Sequence, residues 1–85
     1  MDNAAVILDG TTNAAVVQLP GRKFPGVVVQ GDSLKTLVEL AAEASNARED
    51  PSERTAAVEM LHERLAELLR HYEEVLGRSG RKLPY

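Results

Sequence analysis

The segment from Ser52 to Leu76 constrains the fold more than any other part of the chain. Val58, Leu61, Leu65, Leu68, Tyr72 and Val75 recur there in alternating steps of three and four, the spacing of one helical face. Leu69 and Leu76, with His62, widen that stripe on one side, and Glu59, Glu63, Glu67, Glu73 and Glu74 fall on the outer positions. A helix of about 24 residues is about 36 Å long. The β-like runs upstream hold about six residues and reach only about 20 Å. Such a helix overhangs any sheet those runs build, and a second copy of the chain is the simplest cover for its far end. The expected dimer seam is Val58, Leu61, Leu65, Leu68, Leu69, Tyr72, Val75 and Leu76.

The residues before this helix read as strands and one shorter helix. Ala5–Leu8 and Ala14–Leu19 are apolar and rich in β-branched residues, with the turn formers DGTTN between them. Val27–Gln30 is a third short run, reached through LPGRKFPG. Each Pro-Gly pair in that loop suits a type II turn, because Pro fixes φ at the first central position and Gly accepts φ > 0 at the next. Both connections are short enough for antiparallel neighbours. In QGDSLKTLVELAAEAS, Asp32 and Ser33 are positioned to cap a helix whose apolar stripe is Leu34, Leu37, Val38, Ala41 and Ala44. NAREDPSER breaks the pattern, with Asp50 as the next cap and Pro51 in a first turn, where proline is tolerated. Gly77 and Gly80 are expected to end the long helix.

These readings give one α+β domain of order β-β-β-α-α. A three-stranded antiparallel sheet (1–31) is followed by a short helix (32–46) and a long one (51–77) packed on one face, with a basic tail (78–85).

The charge pattern excludes several functions. The net charge is −3, and between Glu39 and Glu74 there are ten acidic and four basic residues. Only Phe24, Tyr72 and Tyr85 are aromatic. A nucleic-acid binder ordinarily shows a basic footprint and stacking platforms, so nucleic acid is not an expected partner. There is no Cys, so neither a disulfide framework nor a thiolate metal site can form. His62 and His71 are nine residues apart, which does not put two ligands on one helical face. No metal and no cofactor are expected. No apolar run approaches the roughly 20 residues of a membrane span. MDNAAVILDG lacks the basic start of a signal peptide. A cytoplasmic location is expected.

Two resemblances bear on function. VVVQGDSLKTL contains the GDSL signature of a family of serine hydrolases, in which the Ser sits at a strand-to-helix turn. That family resembles a fold of roughly twice this length and carries a Gly-x-Asn-Asp block and an Asp-x-x-His. Neither is present here. A serine without a positioned base is a poor nucleophile near pH 7, so no catalytic role is expected for Ser33.

The longer stretch FPGVVVQGDSLKTLVELAAEA resembles the hallmark of the HicB-type antitoxin domain. Phe24, Pro25 and Gly26 match its first block, and Gln30, Gly31, Asp32, Ser33 and Leu34 match its second at the same spacing. DGTTN with AAVVQ is similar to that family's opening hairpin, and LLRHYEEVLGRSGRKLPY to the end of its helix. Small bacterial proteins of unknown function that share LPGR-x-FPGVVVQGDSL also look similar. The HicB resemblance implies a small layered fold without nuclease residues that binds and masks a toxin cleaving mRNA. This chain departs from the pattern in the extra residues around Arg22 and Lys23 and in the break at NAREDPSE. It also carries no DNA-binding segment of that family's kind, so promoter autoregulation is not expected.

The reading that follows is a non-enzymatic protein-binding module. Its expected contact surfaces are the loop at Arg22, Lys23 and Phe24 and the acidic face of the long helix, the latter suited to a small basic protein. The alternative is a structural or ligand-sensing homodimer, and the third is a hydrolase using Ser33.

Overall fold

In a computed structural model the described residues are 4–10, 14–46 and 50–85. The elements are β1 (Val6–Asp9), β2 (Val16–Gln18), β3 (Gly26–Val27), α1 (Gly31–Asn46) and α2 (Pro51–Arg78). The strands form one antiparallel sheet in the order β1-β2-β3, followed by the short and the long helix. This is the α+β arrangement the residue pattern predicts. Most of the turn DGTTN (11–13) and part of the break NAREDPSER (47–49) lie outside the described residues. Two compact units make up the chain, Met1–Val29 with Leu68–Tyr85, and Gln30–Glu67.

In the first unit the C-terminal part of α2 lies on the sheet. Val16, Tyr72, Val75 and Leu76 form the buried cluster, with Leu8 packed against it. Burying a side chain of this kind stabilises by about 1.5–3 kcal/mol. β1 carries one residue more than its partner opposes. Ile7 faces Val17, but Asp9, not Leu8, faces Val16. Such a bulge re-aims side chains. Leu8 and Asp9, neighbours that a regular strand sends to opposite faces, are both partly buried, while Val6 and Ile7 stay exposed. β3 begins at Gly26 rather than Val27 and holds only two ladder residues, prolonged by the Val28 N–H donating to the Ala15 carbonyl at 2.7 Å.

The two turn predictions resolve differently. Gly21 has φ 78° and the Arg22 N–H donates to the Leu19 carbonyl at 3.3 Å, a type II turn centred on Pro20 and Gly21. Gly26 has no positive φ. It pairs with Val17 in the ladder, so the second Pro-Gly is a strand entry and not a turn.

In the second unit, Leu40 and Ala57 are the buried hydrophobic residues among those described. On α1 the less exposed positions are Ser33, Leu37, Leu40 and Ala44. Leu34 and Val38 are 54% and 57% exposed, which corrects the stripe expected there. Both stripes have helical spacing, and packing covers the one that contains Leu40.

The caps explain where the helices stop. α1 starts at Gly31, with the Leu34 N–H donating to the Gln30 carbonyl at 2.9 Å, so Gln30 holds the N-cap position. The expected Asp32–Ser33 cap is thereby corrected in detail. Asp32 sits one residue inside the first turn, and its Oδ1 accepts the Ser33 N–H at 2.8 Å. There a carboxylate also complements the positive end of the helix. For α2, Asp50 Oδ1 accepts the Glu53 N–H at 3.1 Å and its carbonyl accepts the Arg54 N–H at 3.1 Å, an N-cap with Pro51 following it.

The far end of α2 is a Schellman motif. Gly80 (φ 68°) donates to the Gly77 carbonyl at 3.2 Å and Arg81 to the Leu76 carbonyl at 2.9 Å. Gly80 alone requires the left-handed conformation. Gly77 lies inside the helix, which continues to Arg78 instead of ending at residue 76 or 77.

Candidate functional site

The loop between β2 and β3 presents the Arg22–Phe24 tip, and three interactions shape it. Gly21 turns the chain after Pro20. The Gln18 side chain, at the end of β2, donates through Nε2 to the Arg22 carbonyl at 2.6 Å and to the Leu19 carbonyl at 3.2 Å. On the other flank the Tyr72 hydroxyl, from α2, donates to the Pro25 carbonyl at 2.8 Å in a buried hydrogen bond. The loop is thus tied to β2 on one side and to α2 on the other. Between the ties Arg22, Lys23 and Phe24 are exposed, with Lys23 Nζ 5.3 Å from the Phe24 ring centroid, in cation–π range. Gln18 Oε1 is buried without a hydrogen-bond partner among the described residues.

A second polar group forms at the end of β1. The bulge turns Asp9 towards α2, where its Oδ2 lies 3.5 Å from His71 Nε2 and accepts from Arg78 Nη2 at 3.4 Å. The Asp9 and His71 side chains are 11% and 20% exposed and that of Arg78 69%, so the carboxylate is held at the edge of the core with the guanidinium outside. Beside it an open cleft of about 500 Å³ runs between Ile7–Gly10 and the end of α2 at Val75, Arg78 and Ser79. Ser79 Oγ donates to the Val75 carbonyl at 2.8 Å.

Sequence reasoning missed this cluster, because Asp9 was assigned to a turn. One signal was present. His71 and Arg78 are seven residues apart and share a helical face, so a carboxylate at the end of a strand was a natural partner. The missed Tyr72 bond had a signal too, since a buried tyrosine hydroxyl usually finds an acceptor.

The expected dimer seam splits in two. Tyr72, Val75 and Leu76 are buried in the chain's own core against the sheet, so they are not a surface for a second copy. Val58, Leu65 and Leu69 are 49%, 48% and 47% exposed, and Leu61 and Leu68 are intermediate. On the acidic side Glu59, Glu63, Glu67 and Glu74 are exposed. Glu73 is engaged, since Tyr85 donates to its Oε2 at 2.8 Å. Desolvation, then that bond and the charge of Glu73, pushes the Tyr85 phenol up to about 12. The basic tail is therefore anchored at its last residue.

Ser33 lies half-buried in the first turn of α1, its N–H bonded to Asp32. His71 is engaged by Asp9. Among the described residues no three His, Asp or Glu side chains gather to hold a metal ion, and no helix is long and apolar enough to cross a membrane.

No curated protein and no solved structure matches the chain. One family model does, over residues 1–85, and the chain belongs to that family, DUF6959, a family of unknown function.

Proposed function

We propose that the chain is a non-enzymatic, cytoplasmic protein-binding module that masks or regulates a protein partner in the manner of a HicB-type antitoxin domain. The observation that carries this reading is the braced loop. Gln18 and Tyr72 hold the backbone on either side of an exposed Arg22–Lys23–Phe24 tip. Arginine and aromatic side chains dominate binding energy at protein interfaces, and a loop already held in shape loses less entropy on docking. The acidic face of α2, at Glu59, Glu63, Glu67 and Glu74, is a second surface, suited to a small basic protein.

Ser33 supports no competing reading of equal weight, because it sits on the inward side of α1 in a capping turn. A structural or ligand-sensing homodimer is the second reading, favoured by the exposed Val58, Leu65 and Leu69.

The test uses the full chain as bait in its native host, wild type against Phe24→Ser and Arg22→Ser, with circular dichroism confirming the fold of each. A specific protein retained by the wild type and lost from both variants supports the reading. If that protein arrests growth when expressed alone and co-expression of the chain relieves the arrest, the antitoxin role follows. Identical capture by all three baits, or none by any, would sink the proposal.

A further inference from the structure

We infer that the open edge of β1 and the cleft beside it take an extended, acidic segment of a partner protein, which adds a strand to the sheet. The ladder shows which backbone groups are available for this. Val16 faces Val27 and Val17 faces Gly26, so Val28 stands opposite Ala15, and the Val28 N–H donates to the Ala15 carbonyl at 2.7 Å. In an antiparallel pair, hydrogen-bonded and non-hydrogen-bonded positions alternate. Val17 therefore directs its N–H and C=O to β3 and away from β1. Its partner on β1 is Ile7, so the Ile7 N–H and C=O turn to the outer edge of the sheet.

Proteins ordinarily guard such an edge with a charged side chain or a proline. Ala4, Ala5, Val6 and Ile7 include neither, and Val6 and Ile7 are 56% and 67% exposed. The bulge at Leu8 ends the regular edge. A strand paired as far as Ile7 leaves the ladder where the cleft of about 500 Å³ opens.

The cleft sets the chemistry of the occupant. Ile7, Leu8 and Val75 give it an apolar wall, which suits alternate side chains of an added strand. Arg78 and Ser79 form its polar end. Arg78 is 69% exposed and reaches Asp9 through one nitrogen at 3.4 Å, which leaves most of its five N–H donors to a ligand. The Asp9 carboxylate lies inside it, 11% exposed, so an incoming acid meets the guanidinium first. Arg81 and Lys82 follow, also exposed, with no acidic residue from Arg78 to Lys82. In strand addition the main-chain bonds supply affinity and the side-chain pockets supply specificity. Here the specificity is for a carboxylate beside apolar residues.

Every residue that forms this site belongs to the first unit. The site is separate from the Arg22–Phe24 loop and takes a partner of opposite charge to the one suited to the acidic face of α2, so either reading can fail while the other stands.

The test uses the purified full chain at low ionic strength and three blocked octapeptides, in which valine alternates with glutamate, with lysine or with threonine. The glutamate peptide should bind with a dissociation constant of about 10–100 μM, and the lysine peptide about tenfold more weakly or worse. Arg78→Gln should weaken the glutamate peptide about tenfold and leave the threonine peptide within about twofold. Exchange of the Ile7 amide should slow by about tenfold or more at saturation, with the amides of residues 22–24 unchanged. N-methylation of the peptide at the valines or at the glutamates should abolish binding in one case and spare it in the other, because only one edge of an added strand faces β1.

Failure of all three peptides to bind overturns the proposal. So does equal binding of the glutamate and lysine peptides, an Ile7 amide that exchanges as before, or tolerance of both methylation patterns. A doubled mass with a protected Ile7 amide in the chain alone would make a second copy the occupant, and that too overturns it.

Discussion

Tyr72 joins two parts of the first unit with one atom, and removing that atom isolates its contribution. Tyr72→Phe keeps the ring, which is 7% exposed and packed with Val16, Val75 and Leu76, so no cavity opens. What disappears is the hydroxyl that donates to the Pro25 carbonyl at 2.8 Å. Pro25 is itself buried, so its carbonyl loses its partner without gaining water. A buried acceptor left unpaired costs about 1–3 kcal/mol, more than the net value of an average hydrogen bond. For a chain of this length an entropy of unfolding of about 2.1 cal/mol/K per residue converts 1 kcal/mol to about 5–6 °C in Tm.

Tyr72→Phe should therefore lower Tm by about 5–15 °C in scanning calorimetry at fixed protein concentration. Concentration is held constant because Tm varies with it wherever a protein associates. In hydrogen exchange, amides of residues 19–26 should lose protection before those of α2. A Tm within about 1 °C of wild type, with unchanged exchange in the loop, would show that Pro25 is not held by Tyr72 and would remove the main brace from the binding loop.

The two glycines near the end of α2 should respond in opposite directions. Gly80→Ala forces a side chain into φ 68° and should destabilise by about 1 kcal/mol, whereas Gly77→Ala, in helical conformation with open space around it, should stabilise by about 0.5–1 kcal/mol. Urea melts of the two variants read this directly, and the same sign for both would contradict the Schellman ending. Asp50→Ala removes the side-chain acceptor of the Glu53 N–H and should cost about 1 kcal/mol, while Asp50→Ser should restore most of it. Equal losses from both substitutions would mean that the carboxylate acts through charge and not as a cap.

Much of the local structure could be read from the sequence because its signals act over a few residues. Asp50 and Pro51 set the start of α2, the Pro20–Gly21 pair specified its own turn, and the period of the long helix was evident from Val58 onwards. What could not be read depends on which surface meets which. α1 offers two apolar stripes, and only packing chooses the one with Leu40 over the one with Leu34 and Val38. The heptad pattern runs without interruption from Val58 to Val75, yet Tyr72 and Val75 are buried while Val58 and Leu65 are half-exposed, so a single periodic signal runs through both environments.

The loop's charged and aromatic tip was visible as letters. Its bracing was not, because Tyr72 and Pro25 are 47 residues apart. Likewise Asp9 and Arg78 are separated by 69 residues, and no local pattern announces a contact over that distance.

The extra residue in β1 also sets the length of the first hairpin. Deleting Leu8 would give a regular two-strand ladder, a more ordinary piece of sheet. With period two restored, the acid would follow Ile7 directly and still stand opposite Val16, but the Leu8 side chain packed against the buried cluster would be gone. Length variation here is therefore not neutral in the way loop insertions usually are. One residue fewer between Ile7 and Asp9 keeps the charge in register but removes a core side chain, so the first strand resists shortening there.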